Sequence, residues 1–94
     1  MAKSIYSKEY GGFVNELRKV RISASLTQAE LANRLGQTQS FVSKVERGER
    51  RLDVVELRAF CEVLGVSFSS FAERLERILN DGSDLVAKNK IENV

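Results

Sequence analysis

The chain has 94 residues, of which 43% are hydrophobic and 30% are charged, so it can build one small hydrophobic core and one domain. One cysteine and no histidine argue against an intrachain disulfide, a multi-cysteine zinc site and histidine-based catalysis, and the sequence shows neither a membrane span nor a signal peptide. Residues 1–51 carry ten basic and five acidic side chains and residues 52–94 carry five and eight, which indicates either a face that attracts polyanions or ordinary solvated charge. We therefore expect a cytoplasmic protein without a metal or a cofactor.

The first predicted helix runs roughly from Ser7 to Ser23. Its apolar side chains recur at steps of three and four residues, which is the spacing of one helix face: Tyr6, Tyr10, Phe13, Leu17 and Val20. Gly11 and Gly12 weaken the first half of this helix, since a glycine in a helix interior costs about 1 kcal/mol relative to alanine. The aromatic stripe is most simply part of the core.

Two short helices are predicted next, separated by Gly36-Gln37-Thr38. The first opens with the capping box Thr27-Gln28-Ala29-Glu30, and the second begins after Thr38 and stops at Gly48. Helices of about eight residues are not stable alone, so a shared apolar seam must hold them, with Ala32 small at the crossing: Leu31, Leu35, Val42 and Val45. This arrangement is typical of a helix-turn-helix, whose second helix enters the major groove of DNA.

Two further helices complete the predicted domain. The fourth follows a capping signal at Asp53 and ends at Gly65, with one apolar side: Leu57, Phe60, Cys61 and Leu64. The fifth runs from about Ser67 to Asn80 with a second apolar stripe: Phe68, Phe71, Ala72, Leu75 and Leu79. Gly82 would stop this helix, and residues 81–94 are predicted to form a mobile tail. The fold class is therefore all-α, with one five-helix domain over residues 1–80.

The outward face of the third helix has the chemistry of a DNA-binding surface. When Val42 and Val45 point inward, this helix turns five polar side chains outward: Gln39, Ser40, Ser43, Lys44 and Arg47. Glutamine pairs with adenine, lysine with guanine, and serine with either base. A face built only for solubility is usually richer in Glu–Lys pairs four residues apart, although a plain polar surface is the simpler interpretation without the surrounding motif.

Residues 17–71 resemble the DNA-binding domain of the Cro/cI-type (XRE-type) helix-turn-helix family of phage and bacterial repressors. Four segments carry the resemblance: Leu26–Ala32, Leu35-Gly36, Gln39–Gly48 and Leu57–Val66. The resemblance implies a compact five-helix, lambda-repressor-like domain, with the motif over about residues 28–47 and the recognition helix over about 39–47. One departure from the family pattern is Ser25, where members commonly have glycine.

The resemblance also implies roles for individual residues. Four match the positions that read bases: Gln39, Ser40, Ser43 and Lys44. Five match positions that contact the DNA backbone: Gln28, Thr38, Arg47, Arg50 and Arg51. Gln28 would also brace the first side chain of the recognition helix. Arg21 and Glu46 match a pair that ties the first helix to the recognition helix by a salt bridge.

The expected function is a bacterial or phage regulator of transcription, a repressor that binds an inverted-repeat operator on the nucleoid as a homodimer. A dimer is expected because one recognition helix reads only a few base pairs. Its expected interface is surplus apolar surface on the fifth helix: Leu75, Ile78 and Leu79.

Two alternatives stay open at this point. One is an antitoxin whose acidic C-terminal half binds a toxin protein, and the other is a restriction-modification controller. The sequence has no paired acids, no glycine-rich phosphate loop and no serine–base arrangement, so we do not expect an enzyme.

Overall fold

The computed structural model describes residues 7–81, and within that range the regular structure consists of five helices. They are α1 Lys8–Ser23, α2 Gln28–Leu35, α3 Gln39–Glu46, α4 Val54–Leu64 and α5 Phe68–Asp81. The all-α prediction is therefore confirmed. Apart from Asp81 at the end of α5, the predicted tail lies outside the described residues, as do Tyr6 and the predicted stop at Gly82. No helix among the described residues is long and apolar enough to cross a membrane.

Local sequence signals define the ends of the helices. The Thr27 hydroxyl accepts a hydrogen bond from the backbone N–H of Glu30 at 3.0 Å, and the Glu30 carboxylate accepts one from the backbone N–H of Thr27 at 2.9 Å. Asp53 and Glu56 form the same reciprocal pair at the start of α4. The glycines after α2, α3 and α4 adopt left-handed backbone with φ between 72° and 79°: Gly36, Gly48 and Gly65. The predicted capping box at Thr27, the predicted capping signal at Asp53 and these three predicted stops are thus confirmed.

A residue other than glycine adopts positive φ in the turn between α1 and α2. Ser25 has a φ of 62°, and its backbone N–H donates to the carbonyl of Ile22 at 2.9 Å. Left-handed backbone costs an L-residue roughly 1–2 kcal/mol because its Cβ crowds the following carbonyl. This conformation accounts for the glycine that the similar family commonly has at this position.

The core lies where the five helices meet. The largest fully buried side chains come from all five: Leu17, Leu31, Val42, Val45, Phe60, Cys61 and Phe71. The rings of Phe13 and Phe71 meet edge-on, with centroids 6.0 Å apart, and join α1 to α5. The rings of Phe41 and Phe60 lie 6.2 Å apart and join α3 to α4. The predicted seam between α2 and α3 is buried as well, except that Leu35 is only half-buried.

One predicted member of the apolar stripe on α5 is wrong. Ala72 is exposed, whereas Phe68, Phe71 and Leu75 pack on the core. These three residues follow one another at steps of three and four, so they share one helix face. Ala72 follows Phe71 directly and lies about 100° further around the helix, on the side towards solvent.

Candidate nucleic-acid interface

The two short helices α2 and α3 form the predicted helix-turn-helix. The turn between them is closed by a hydrogen bond from the backbone N–H of Gln37 to the carbonyl of Ala32 at 2.9 Å. At the start of α3, the Thr38 hydroxyl accepts a hydrogen bond from the backbone N–H of Phe41 at 3.1 Å. Val42 and Val45 are fully buried, so the opposite side of α3 faces solvent.

That solvent side of α3 carries the four residues predicted to read bases. Gln39, Ser40 and Lys44 are exposed, and Ser43 is half-buried. Their amide, hydroxyl and ammonium groups supply both donors and acceptors, which is the chemistry that base edges in a major groove match. The fold therefore brings these side chains together on one helix face.

A buried ion pair attaches the end of α3 to α1. Arg21 donates from Nε to Glu46 Oε2 at 2.6 Å and from Nη2 to Glu46 Oε1 at 3.0 Å. The two side chains are only 11% and 3% exposed. Arg21 also donates from Nη1 to the carbonyl of Leu26 at 2.8 Å. The pair that the resemblance implies is in direct contact, and it holds α3 in a fixed orientation relative to α1.

Gln28 is directed towards the same carboxylate. Its side-chain Nε2 donates to Glu46 Oε1 at 3.1 Å, and the residue is half-buried. The remaining amide oxygen is an acceptor, and a phosphate offers acceptors only. The amide nitrogen has two donor hydrogens and gives one to Glu46, so a contact from the Gln28 side chain to phosphate has to come from the second.

Arg47, which caps the C-terminus of α3, is bound to neighbours within the protein. It donates from Nε and Nη2 to the two carboxylate oxygens of Glu49 at 3.0 and 3.1 Å, and from Nη1 to Ser43 Oγ at 2.5 Å. The hydrogen bond from Arg47 lowers the pKa of the Glu49 carboxyl, and the same bond raises the pKa of Arg47. An exposed charge pair thus lies at the edge of the α3 face.

Arg50 connects α3 to α4. It donates from Nη1 and Nη2 to the two carboxylate oxygens of Glu56, both at 2.9 Å. Its guanidinium carbon lies 4.9 Å from the centre of the Phe41 ring, within cation–π range. Because Glu56 also caps α4 with Asp53, this pair attaches Arg50 to the N-terminus of that helix.

Arg51 lies on the other side of the same loop, against α1. Its guanidinium carbon is 4.5 Å from the centre of the Tyr10 ring, and the residue is exposed. The three arginines predicted to contact the DNA backbone therefore occupy three different environments, at Glu49, Glu56 and Tyr10.

Comparisons with known proteins give the assignment. Residues 17–71 match a family described as helix-turn-helix. The structure is similar to that of an XRE-family like protein from Pseudomonas syringae pv. tomato str. DC3000, with a TM-score of 0.73 and 43% sequence identity, covering 82% of this chain and 94% of that chain. The chain belongs to the XRE-type helix-turn-helix family of DNA-binding transcriptional regulators. No curated protein matches the sequence.

The acidic partners at the interface of this XRE-type regulator were not predicted from the sequence. Glu49 lies two residues after Arg47, and Glu56 lies six residues after Arg50. The charges and spacings are visible in the sequence, but similar spacings occur on many solvated surfaces. Pairing depends on the turn at Gly48 and the cap at Asp53, which bring each carboxylate back to its arginine.

The apolar residues in the C-terminal half of α5 in this XRE-type domain line two separate grooves. Leu75 and Leu79 share one with residues of α1, α4 and the preceding loop: Tyr10, Phe13, Leu52, Val54 and Leu57. Ile78 lines the other with Gly11, Val14 and Asn15 of α1. The structure brings Leu75 and Leu79 together and places Ile78 on a different side of the helix.

Proposed function

We propose that this XRE-type regulator is a repressor that binds an inverted-repeat operator in double-stranded DNA as a homodimer. The observation that carries this proposal is the solvent face of α3, where one helix presents four base-matching side chains: Gln39, Ser40, Ser43 and Lys44. The helix enters the major groove and hydrogen-bonds base edges there. The buried Arg21–Glu46 pair supports this role because it holds α3 in a fixed orientation before DNA arrives.

Contacts with the DNA backbone are proposed for five residues: Gln28, Thr38, Arg47, Arg50 and Arg51. Each arginine that neutralises a phosphate releases counterions, and the slope of log affinity against log salt changes by about 0.9 per phosphate. A dimer in which all three arginines bind phosphate would have a slope of about −5. The carboxylates of Glu49 and Glu56 favour a shallower slope, since an arginine that keeps its carboxylate releases no counterion from DNA.

The homodimer is proposed because a two-fold pair of recognition helices doubles the number of base pairs read. The major groove returns to the same face of DNA once per helical turn, about every 34 Å, so the half-site centres are expected about 10 bp apart. The contact between protomers is proposed on α5 through Leu75, Ile78 and Leu79, which remain only half-buried in the monomer.

Selection of binding sites from random duplex DNA tests the function. Wild type should enrich an inverted repeat, and a promoter that overlaps the selected site should be transcribed less in vitro when the protein is added. Failure to enrich any sequence contradicts operator binding, and increased transcription contradicts the repressor role.

Lys44→Ala and Arg51→Ala form a matched pair for the roles within the site. Loss of a base contact at Lys44 should cost about 1–3 kcal/mol on the selected site and relax one position in each half-site. Loss of a phosphate contact at Arg51 should weaken binding to all sequences by the same factor. A Lys44 variant that weakens selected and random DNA equally would assign Lys44 to the backbone instead.

A further inference from the structure

We propose that Glu49 sets the DNA selectivity of this regulator by competing with the phosphate backbone for Arg47, so that the backbone contact proposed for Arg47 has to displace this carboxylate. The inference rests on the proposed function, since it takes α3 to be the helix that enters the major groove. All three guanidinium nitrogens of Arg47 are engaged, two by Glu49 and one by Ser43, whose hydroxyl is itself proposed to read a base.

The backbone of Glu49 is held at the end of α3. The backbone N–H of Glu49 donates to the carbonyl of Lys44 at 2.9 Å, after the left-handed turn at Gly48. The carboxylate therefore stays close to two cations of the interface, and the charge of Lys44 adds to the effect of Arg47 in lowering the pKa of Glu49. The Glu49 carboxylate is therefore ionised at neutral pH.

An ionised carboxylate at this position competes with DNA phosphate for Arg47. Random DNA offers the same phosphates as the operator but not the matching set of base contacts, and exchanging one anion for another on the same guanidinium gains little. At the operator, base contacts fix the position of α3. The hydrogen bond from Arg47 already orients the Ser43 hydroxyl, which favours the base contact proposed for Ser43. Glu49 therefore weakens binding to random sequence more than binding to the operator.

Glu49→Gln removes the competing charge and frees Arg47 to bind phosphate. Affinity for random duplex DNA should rise, and the salt slope should become steeper by about 0.9 per bound chain. Between 50 and 200 mM salt, this extra slope corresponds to an additional change of roughly three- to fourfold in affinity per chain. Operator affinity should rise by a smaller factor, so the ratio of operator to random binding should fall.

Glu62→Gln is the matched control because it makes the same chemical change and the same change in net charge. Glu62 pairs with Arg58 on its own helix, α4, at 3.9 Å, and both side chains are 69% exposed. Affinities of wild type and both variants are measured by fluorescence anisotropy on a random duplex and on the selected site, across the salt range. Glu62→Gln should keep the wild-type slope and the wild-type ratio.

A cycle with Arg47→Gln tests whether Arg47 carries the effect. In that background, Glu49→Gln should no longer steepen the salt slope. The proposal is overturned if Glu49→Gln behaves like Glu62→Gln, if it weakens binding to random DNA, or if it steepens the slope equally without Arg47. A wild type that binds no duplex DNA overturns the proposed function together with this inference, whereas a wild type that selects an operator confines any failure to Glu49.

Discussion

Glu46 is buried beneath the end of α3, where its carboxylate accepts hydrogen bonds from Arg21 and Gln28. A buried charge is tolerated when its partners replace the water that it has lost. Here those partners come from α1 and from the start of α2. The Glu46 side chain therefore links α3 to both α1 and α2.

Glu46→Ala should lower the free energy of unfolding by about 3–5 kcal/mol, because it leaves the Arg21 guanidinium buried without its carboxylate. Arg18→Ala is the control, since Arg18 lies 3.7 Å from the same carboxylate but is 43% exposed. Its loss should cost under about 1 kcal/mol. Urea denaturation measures both values, and equal losses would show that burial does not set the strength of this network.

Ser25→Gly should stabilise the protein. Glycine relieves the left-handed strain at a φ of 62°, and the greater freedom of glycine in the unfolded chain offsets part of the gain. We expect a net increase of about 0.5–1 kcal/mol in the free energy of unfolding. Ser23→Gly, two residues earlier at the end of α1, should instead destabilise by about 0.5–1 kcal/mol. The same sign for both variants in urea denaturation would argue against strain at Ser25.

At the scale of secondary-structure elements, α3 and α4 are connected by charge as well as by packing. Glu56 serves two purposes, since it caps the first turn of α4 and pairs with Arg50. Hydrogen bonds from the Arg50 side chain and from the backbone N–H of Asp53 lower the pKa of the Glu56 carboxyl. The charged form of Glu56 is therefore favoured by folding.

This lowered pKa predicts the direction of an acid effect. The stabilisation from Glu56 is complete above its unfolded pKa of about 4.3, and it is lost as the pH falls through the lower folded value. Glu56→Gln retains the capping geometry, because glutamine also serves at this position, but removes the ion pair. We expect the variant to be less stable than wild type at pH 7 and the difference to shrink below about pH 4. Thermal unfolding followed by circular dichroism at several pH values measures this, and a difference that does not depend on pH would contradict it.

The ends of the elements were predictable from the sequence, whereas the contacts between them were not. Capping boxes at Thr27 and Asp53 and the glycine after each of three helices act over a few residues, so their signals are local. The Arg50–Glu56 pair depends on how the loop turns between two helices. The exposed Ala72 was missed for a similar reason, since its side of α5 is decided by where that helix meets α1 and α4.

The candidate site shows the same division. The face of α3 followed from the helical spacing of Val42 and Val45, three residues apart, so its members were predicted correctly as neighbours. The Arg21–Glu46 pair came from family resemblance, because residues 25 positions apart carry no local signal. The carboxylates beside Arg47 and Arg50 were not predicted, since long side chains reach partners that spacing alone does not select.

At the scale of the whole molecule, the groove that contains Leu75 and Leu79 leaves apolar surface partly exposed in the described part of the chain. Its other wall includes Val54, which is exposed, and the neighbouring Val55 is exposed as well. Exposed apolar surface that is continuous over two helices is typical of an association site. The homodimer proposed above would cover it.

Leu79→Asp should therefore convert the dimer to a monomer, and sedimentation velocity measures the change. Operator affinity should fall in parallel, because two separate monomers then each lose translational and rotational freedom on binding. Ile78→Asp should have a smaller effect, since Ile78 lines the other groove with α1. A dimer that survives Leu79→Asp but not Ile78→Asp would place the interface on the α1 side of α5.

Because Cys61 is buried, the reactivity of its thiol measures how often this domain opens. Cys61 is the single cysteine of the chain, it is 1% exposed in the core, and burial raises the pKa of its thiol. An alkylating reagent therefore reacts with it only in molecules that have opened, and the rate of modification reports how often opening occurs. A ligand that binds the folded form suppresses opening in proportion to its occupancy. The same rate, followed with increasing DNA, therefore measures affinity in solution without a label on the DNA.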